Sequence, residues 1–282
     1  MVECIKVVTD SSADLCAELA QELDITIIPL VVTCGAQTYL DSALPREEFW
    51  RLAKGPVPCT TSQPPMGSFQ EAFQRLVDRG HRVLCATITG RHSGTFNTAW
   101  SAAQLFGDRV TVVDSLSLSR GLAWQVITAA RLGLQGIAMD KIVEKLRAIQ
   151  KRTHLLIQLD TLEALRRGGR AAKLMPIVDR IVQALNIKPI LNIRDGELSL
   201  LGAARSYEKG VERIKKEIAH LGPLEYLAVM HTRREALAQQ VADELAHLTQ
   251  FARERIAVVE AGVVLACHAG EGVIAAVGVQ VG

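Results

Sequence analysis

Cys4-Ile5-Lys6-Val7-Val8-Thr9-Asp10-Ser11-Ser12-Ala13-Asp14 opens the chain with a β-branched apolar run and then a cluster of small polar side chains. β-Branched residues favour strands, and Asp and Ser side chains accept hydrogen bonds from the first amides of a helix. Leu15, Leu19 and Leu23 follow at helical spacing. The stretch reads as strand, polar turn, helix, the repeating unit of an α/β domain.

The same order returns downstream. Residues 25–33 are strand-like, residues 66–78 carry a Phe69, Phe73, Leu76, Val77 face, and residues 82–89 form a second apolar run. Residues 95–106 are helical, 110–114 strand and 118–132 helical. Such alternation implies parallel strands joined by right-handed crossovers, with functional loops at the carboxyl ends of the strands. Near His154 the pattern changes. Lys188-Pro189-Ile190-Leu191-Asn192-Ile193 and Leu198-Ser199-Leu200-Leu201 flank Asp195-Gly196, a hairpin signature in which Asp-Gly supplies positive φ angles. Helices are expected at 207–221 and 234–248, and strands at 155–159, 226–230, 255–259 and from Val273. The fold class is therefore two-domain α/β: residues 1–155 with a parallel sheet, residues 156–282 with a mixed sheet.

Composition narrows the function classes. The 32 basic and 30 acidic residues leave a formal charge of +2, too small for a one-sign field that would recruit a polyanion. Aromatics are 4% and scattered, which leaves little for base stacking, so no nucleic-acid partner is expected. Cys4, Cys16, Cys34, Cys59, Cys85 and Cys267 are never closer than 12 positions, without C-x-x-C or zinc spacing. They read as reduced, small buried hydrophobes, and no metal is expected. The sequence shows neither a basic-then-apolar leader nor an uncharged apolar run of about 18 residues. The expectation is a cytoplasmic protein without stable membrane insertion.

Two segments carry the candidate chemistry. Cys59-Thr60-Thr61-Ser62-Gln63-Pro64-Pro65 and Arg91-His92-Ser93-Gly94-Thr95 each put hydroxyls where a helix is expected to begin. Unpaired amides at helix starts carry partial positive charge, so two such termini together would cradle a carboxylate or phosphate. A hydroxyl in this context most often caps its own helix; the repetition after two strands favours a shared site. His268, in the small-residue segment 267–272, reads as a loop imidazole able to donate a hydrogen bond, or as a solvated one. Arg205 pairs with an anion or a surface carboxylate, and Arg166, Arg167, Arg170 and Lys173 suit a helix end. Ser93 with His92 or His268 superficially suggests nucleophilic catalysis, but the segment is not a G-x-S-x-G elbow and no carboxylate evidently orients the imidazole. Nor is there a phosphate-binding G-x-x-x-x-G-K-[ST] loop, and no cofactor is expected.

Seven segments, taken together, resemble the DegV family of bacterial fatty-acid-binding proteins, which includes the lipid-carrying subunit of fatty acid kinase. They are Val8-Thr9-Asp10-Ser11-Ser12-Ala13-Asp14, Thr60-Thr61-Ser62-Gln63-Pro64, Ser93-Gly94-Thr95-Phe96-Asn97, Asp114-Ser115, Leu165-Arg166-Arg167-Gly168-Gly169-Arg170, Lys188-Pro189-Ile190-Leu191 and Ala204-Arg205-Ser206. The resemblance implies a non-enzymatic carrier that buries one long-chain fatty acid in an apolar tunnel between two domains and presents its carboxylate to a separate kinase for acyl phosphate formation. It further implies that Thr61 and Ser93 hydrogen-bond the carboxylate, with Ser62, Gly94 and Thr95 shaping the pocket floor and His268 as a third ligand contact. Arg170 and Arg205 would face the partner or the acyl phosphate. Around His268 the chain has Gly270-Glu271-Gly272 where the family ends in a Gly-Pro-Gly-like turn. The competing readings are an acyl hydrolase or transferase using Ser93 and His268, and a lipid-sensing regulator without a kinase.

Overall fold

The computed structural model describes residues 4–167 and 188–282. The chain divides into two compact units, one ending at Lys151 and the other beginning at Arg152.

In the first unit, β1 (Ile5–Asp10), β2 (Ile25–Ile28), β6 (Arg82–Thr87) and β7 (Val110–Asp114) form a parallel sheet of order β2-β1-β6-β7. Its helices are α1 (Ala17–Glu22), α2 (Arg46–Ala53), α3 (Met66–Asp78), α4 (Thr95–Ala103), α5 (Ser119–Leu134) and α6 (Met139–Arg152). One core joins Val8, Val83 and Cys85 of the sheet to Phe69 and Phe73 of α3 and Ala99, Ala102 and Ala103 of α4. The small face of α4 lets it lie close to the sheet, while the Phe69 and Phe73 rings, 5.9 Å apart, fill the space beneath α3.

The strand expected across residues 25–33 is two strands in two sheets. After β2 the chain passes through Pro29, which has no amide to donate, and β3 (Val31–Cys34) leaves the parallel sheet. It joins β4 (Gln37–Leu40) and β5 (Thr60–Ser62) in an antiparallel sheet of order β4-β3-β5, with Gly35 at φ 62° in the tight β3–β4 turn. This small sheet, α2 and α6 go beyond the elements the sequence pattern indicates. The α6 signal was present, since Ile142, Leu146 and Ile149 recur on one buried face.

The cysteines correct the sequence reading. Cys34 and Cys59 form a disulfide, and Cys4 and Cys16 are exposed. Cys85 alone is a fully buried free thiol among the described residues. A 25-residue excursion through β4 and α2 brings Cys59 back beside Cys34, and no local spacing encodes that return.

The second unit contains β8 (Thr153–Gln158), α7 (Glu163–Arg167), β9 (Lys188–Arg194), β10 (Glu197–Ala204), α8 (Tyr207–Ala219), β11 (Leu224–His231), α9 (Glu235–Thr249), β12 (Ala257–Glu260), α10 (Val263–Ala269) and β13 (Ile274–Gln280). Its sheet has the order β10-β9-β8-β13-β11-β12 and is antiparallel except for the β11–β12 pair. The β9–β10 hairpin turns at Asp195 and Gly196, both at positive φ as the Asp-Gly signature requires. α8 and α9 cover the sheet, burying Val211, Ile214 and Ile218 with Ala238, Val241 and Leu245. Gly210 permits this packing, because a Cβ there would run into the buried Gln158 side chain.

Candidate functional site

The first candidate segment is not a helix start. Thr60–Ser62 is β5, paired to β3 in the register Val31↔Ser62, Val32↔Thr61, Thr33↔Thr60. Pro64 and Pro65 follow, and α3 begins at Met66 with Pro65 as an N-cap that makes no side-chain bond. Thr61 therefore belongs to a strand and does not cap α3. Side chains alternate along a strand, and Thr61 is half-buried while Thr60 and Ser62 are exposed. Thr61 and Ser62 thus do not share a face.

The second segment is a helix start. α4 begins at Thr95 after an N-cap at Gly94, and its first turn contains no acidic side chain. Ser93 Oγ lies 2.8 Å from Thr95 Oγ1 and accepts from the Thr95 amide at 3.3 Å. Thr95 is fully buried and Ser93 half-buried, so Ser93 presents its hydroxyl at the positive end of a nine-residue helix.

These two segments meet. A Cβ at Gly94 would lie 2.8 Å from Gln63 Oε1 and 3.1 Å from Gln63 Nε2, so the Gln63 carboxamide rests against the Gly94 backbone. A side chain at position 94 would displace the exposed Gln63 carboxamide. No residue spacing signals that Gln63 meets Gly94, since the contact joins segments about 30 positions apart.

The β6–α4 connection that carries Ser93 is held from both sides. Asp10, at the end of β1, accepts from the Ile88 amide at 2.7 Å and from the Ser12 amide at 3.0 Å. Asp114, at the end of β7, accepts from the Gly90 amide at 3.0 Å and from the Leu116 amide at 2.9 Å. The Thr89 amide donates to Ser117 O at 2.9 Å. Carboxylates from the two strands that flank β6 thus fix the backbone that leads to Ser93. Burial pushes the Asp10 carboxyl up to about 6, against the opposing pull of its Ser12 and Ile88 donors, with nearby Asp41 adding to the rise. Asp10 caps a short 3-10 turn at Ser11–Ala13, whereas α1 begins at an N-cap Cys16 without a side-chain bond. The expectation that the 10–14 cluster caps the first helix is corrected accordingly.

In the second unit, His268 lies in the last turn of α10 and not in a loop, and it is half-buried. The Gly270-Glu271-Gly272 turn that follows is fixed on both sides. Thr232 Oγ1 donates to Gly270 O at 2.7 Å and accepts from the Val273 amide at 2.9 Å. Tyr207 donates its hydroxyl to Gly272 O at 2.7 Å, and burial pushes that phenol up to about 12, so it stays a donor. Gly270 and Gly272 have φ of 80° and 84°, and a Cβ at Gly272 would meet Asp160 at 2.8 Å. Arg205 is exposed between β10 and Ser206, the residue whose hydroxyl caps α8. Arg170 and Lys173 lie outside the described residues. Among the described residues, no helix is long and apolar enough to cross a membrane.

The DegV family model, described as one of uncharacterised proteins, matches residues 4–280. The chain belongs to the DegV family. The DegV domain-containing protein YejH of Lactococcus lactis is 31% identical over 273 residues, covering 95% of this chain and 96% of its own. The solved structure of a DegV family protein from Thermus thermophilus, described by its fatty-acid binding, superposes with a TM-score of 0.86 at 27% identity, covering 98% of this chain and 99% of that one. A stearic-acid-binding protein from Eubacterium ventriosum superposes with a TM-score of 0.86 at 25% identity, over 98% of each chain. The DegV fold thus accounts for both units, the parallel sheet and the mixed one.

Proposed function

We propose that this DegV protein is a cytoplasmic, non-enzymatic carrier that binds one long-chain fatty acid and presents its carboxylate to a partner kinase for acyl phosphate formation. The observation that carries the reading is the meeting of β5 and the α4 start through Gln63 and Gly94, beside Thr61 and Ser93. Two hydroxyls and the first amides of α4 supply neutral donors, which suit a carboxylate that must later react. Thr61 and Ser93 hold the carboxylate, Gly94 and Thr95 shape the floor beneath it and His268 is the third contact, while Ser62, on the other face of β5 from Thr61, falls outside the pocket. Arg205, exposed between β10 and Ser206, faces the kinase. Support for the ligand class comes from relatives described as fatty-acid-binding.

With Thr95 Oγ1 as the donor in its 2.8 Å contact, the Ser93 hydroxyl keeps its own proton for a carboxylate. Reconstitution with a fatty acid kinase, ATP and oleate tests the proposal. The carrier-dependent appearance of acyl phosphate is the expected result, with Arg205→Ala slowing it while oleate affinity is kept. Hydrolysis of an activated acyl ester, abolished by Ser93→Ala, would instead establish the enzyme.

A further inference from the structure

We propose that Cys34 and Cys59 are a thiol–disulfide modification site that sets how long the ligand carboxylate stays bound, an inference resting on Thr61 as a carboxylate donor. Cys34 ends β3, and Cys59 is the residue immediately before β5. The register Val32↔Thr61, Thr33↔Thr60 continues to Cys34 opposite Cys59, with their Cα atoms 4.2 Å apart. The bond therefore lies in line with the ladder that holds Thr61, two residues from it.

β5 depends on that bond more than a longer strand would. It has three residues, pairs only with β3 in the order β4-β3-β5, and runs into Pro64 and Pro65, which have no amide to donate. The preceding Gly55-Pro56-Val57-Pro58 adds no regular pairing at its other end. With the disulfide closed, the amino end of β5 is fixed to the carboxyl end of β3, the central strand of the small sheet. With it open, a three-residue edge strand frays from that end and takes Thr61 with it.

The two sulfurs also differ in access. Cys34 is buried and Cys59 half-buried, so an exchange partner reaches Cys59 first. In oxidation, the Cys59 thiolate attacks one sulfur of a low-molecular-weight disulfide and expels a small thiolate. The Cys34 thiolate then attacks Cys59 in the mixed disulfide and expels the second. Two protein thiols become one disulfide, the small disulfide is reduced to two thiols, and the two protons lost by the cysteines pass to them. In a reducing compartment such a pair is exchangeable and follows the thiol poise, where a permanent structural bond would not persist.

The test uses the whole chain loaded with a fluorescent C18 fatty acid. One sample is equilibrated with oxidised glutathione and one with dithiothreitol, and intact mass reads the loss of two hydrogens. Stopped-flow release into acceptor vesicles is expected to be about tenfold faster from the reduced protein, as for an element freed to open locally. The Cys34→Ser/Cys59→Ser protein should release at the reduced rate under both conditions; if it does not fold, the two wild-type samples carry the test. Equal release rates from verified oxidised and reduced protein overturn the inference, as does failure of the bond to form in the oxidised sample. Both of those results leave fatty-acid binding standing. Absence of binding in either form overturns the carrier reading and this inference together.

Discussion

Asp10 is a fully buried carboxyl whose oxygens hold the Ser12 and Ile88 amides, and its folded pKa of about 6 lies above the ordinary 3.8. Between those values the folded state binds the proton more tightly than the unfolded chain does, so stability falls as pH rises through the window. The fall amounts to about 3 kcal/mol between pH 3.5 and 7. Trp50, Trp100 and Trp124 all lie in the first unit, so tryptophan fluorescence in urea reports that unit alone. The advantage of wild type over Asp10→Asn is expected to shrink with rising pH, and growth of that advantage would contradict the assignment. Thr61→Ala combined with Ser93→Ala removes two donors to a charged group, at roughly 1.5 kcal/mol or more each. Fatty-acid affinity should drop about 100-fold while the urea midpoint changes little, because neither hydroxyl lies in the core cluster. Equal loss of binding and stability would count against the site.

At the scale of elements, the disulfide closes a 25-residue excursion that ends at β5. Removing it as Cys34→Ser/Cys59→Ser is expected to destabilise the first unit by roughly 3 kcal/mol, again by tryptophan fluorescence in urea. In the second unit, Gly210→Ala drives a methyl into Gln158 and should separate α8 from β8 at a cost of about 3 kcal/mol, measured by circular dichroism during urea unfolding. These elements also show what the sequence makes legible. α3 and β7 fall on residues 66–78 and 110–114 as periodicity indicates, and the Asp195-Gly196 turn is where its dipeptide puts it. Pattern fails where long-range pairing decides. β5 has three residues, too few for alternation to register, and only its partner β3 makes it a strand. His268 lies in a seven-residue helix ended by Gly270, and the small residues that make that helix also suggest a loop. Of the candidate site, the hydroxyl segments are visible in sequence. The contacts that hold them, Gln63 on Gly94 and Asp10 and Asp114 under the Ser93 loop, are visible only in the fold.

For the whole molecule, the question is whether an aliphatic protein with weak net charge uses its surplus apolar side chains to hold a ligand. Its hydrophobic content is 49% with only 4% aromatic, which suits cores lined by flexible aliphatic groups. Each ligand methylene taken out of water contributes about 0.8 kcal/mol, so under the proposed function a long acyl chain would supply most of the affinity. The deciding measurement is therefore mass spectrometry of the folded, purified protein after denaturing extraction. The account predicts one long-chain fatty acid per chain, or stoichiometric uptake of added oleate by a lipid-free sample. Folded protein that neither carries nor takes up a long-chain fatty acid would contradict it.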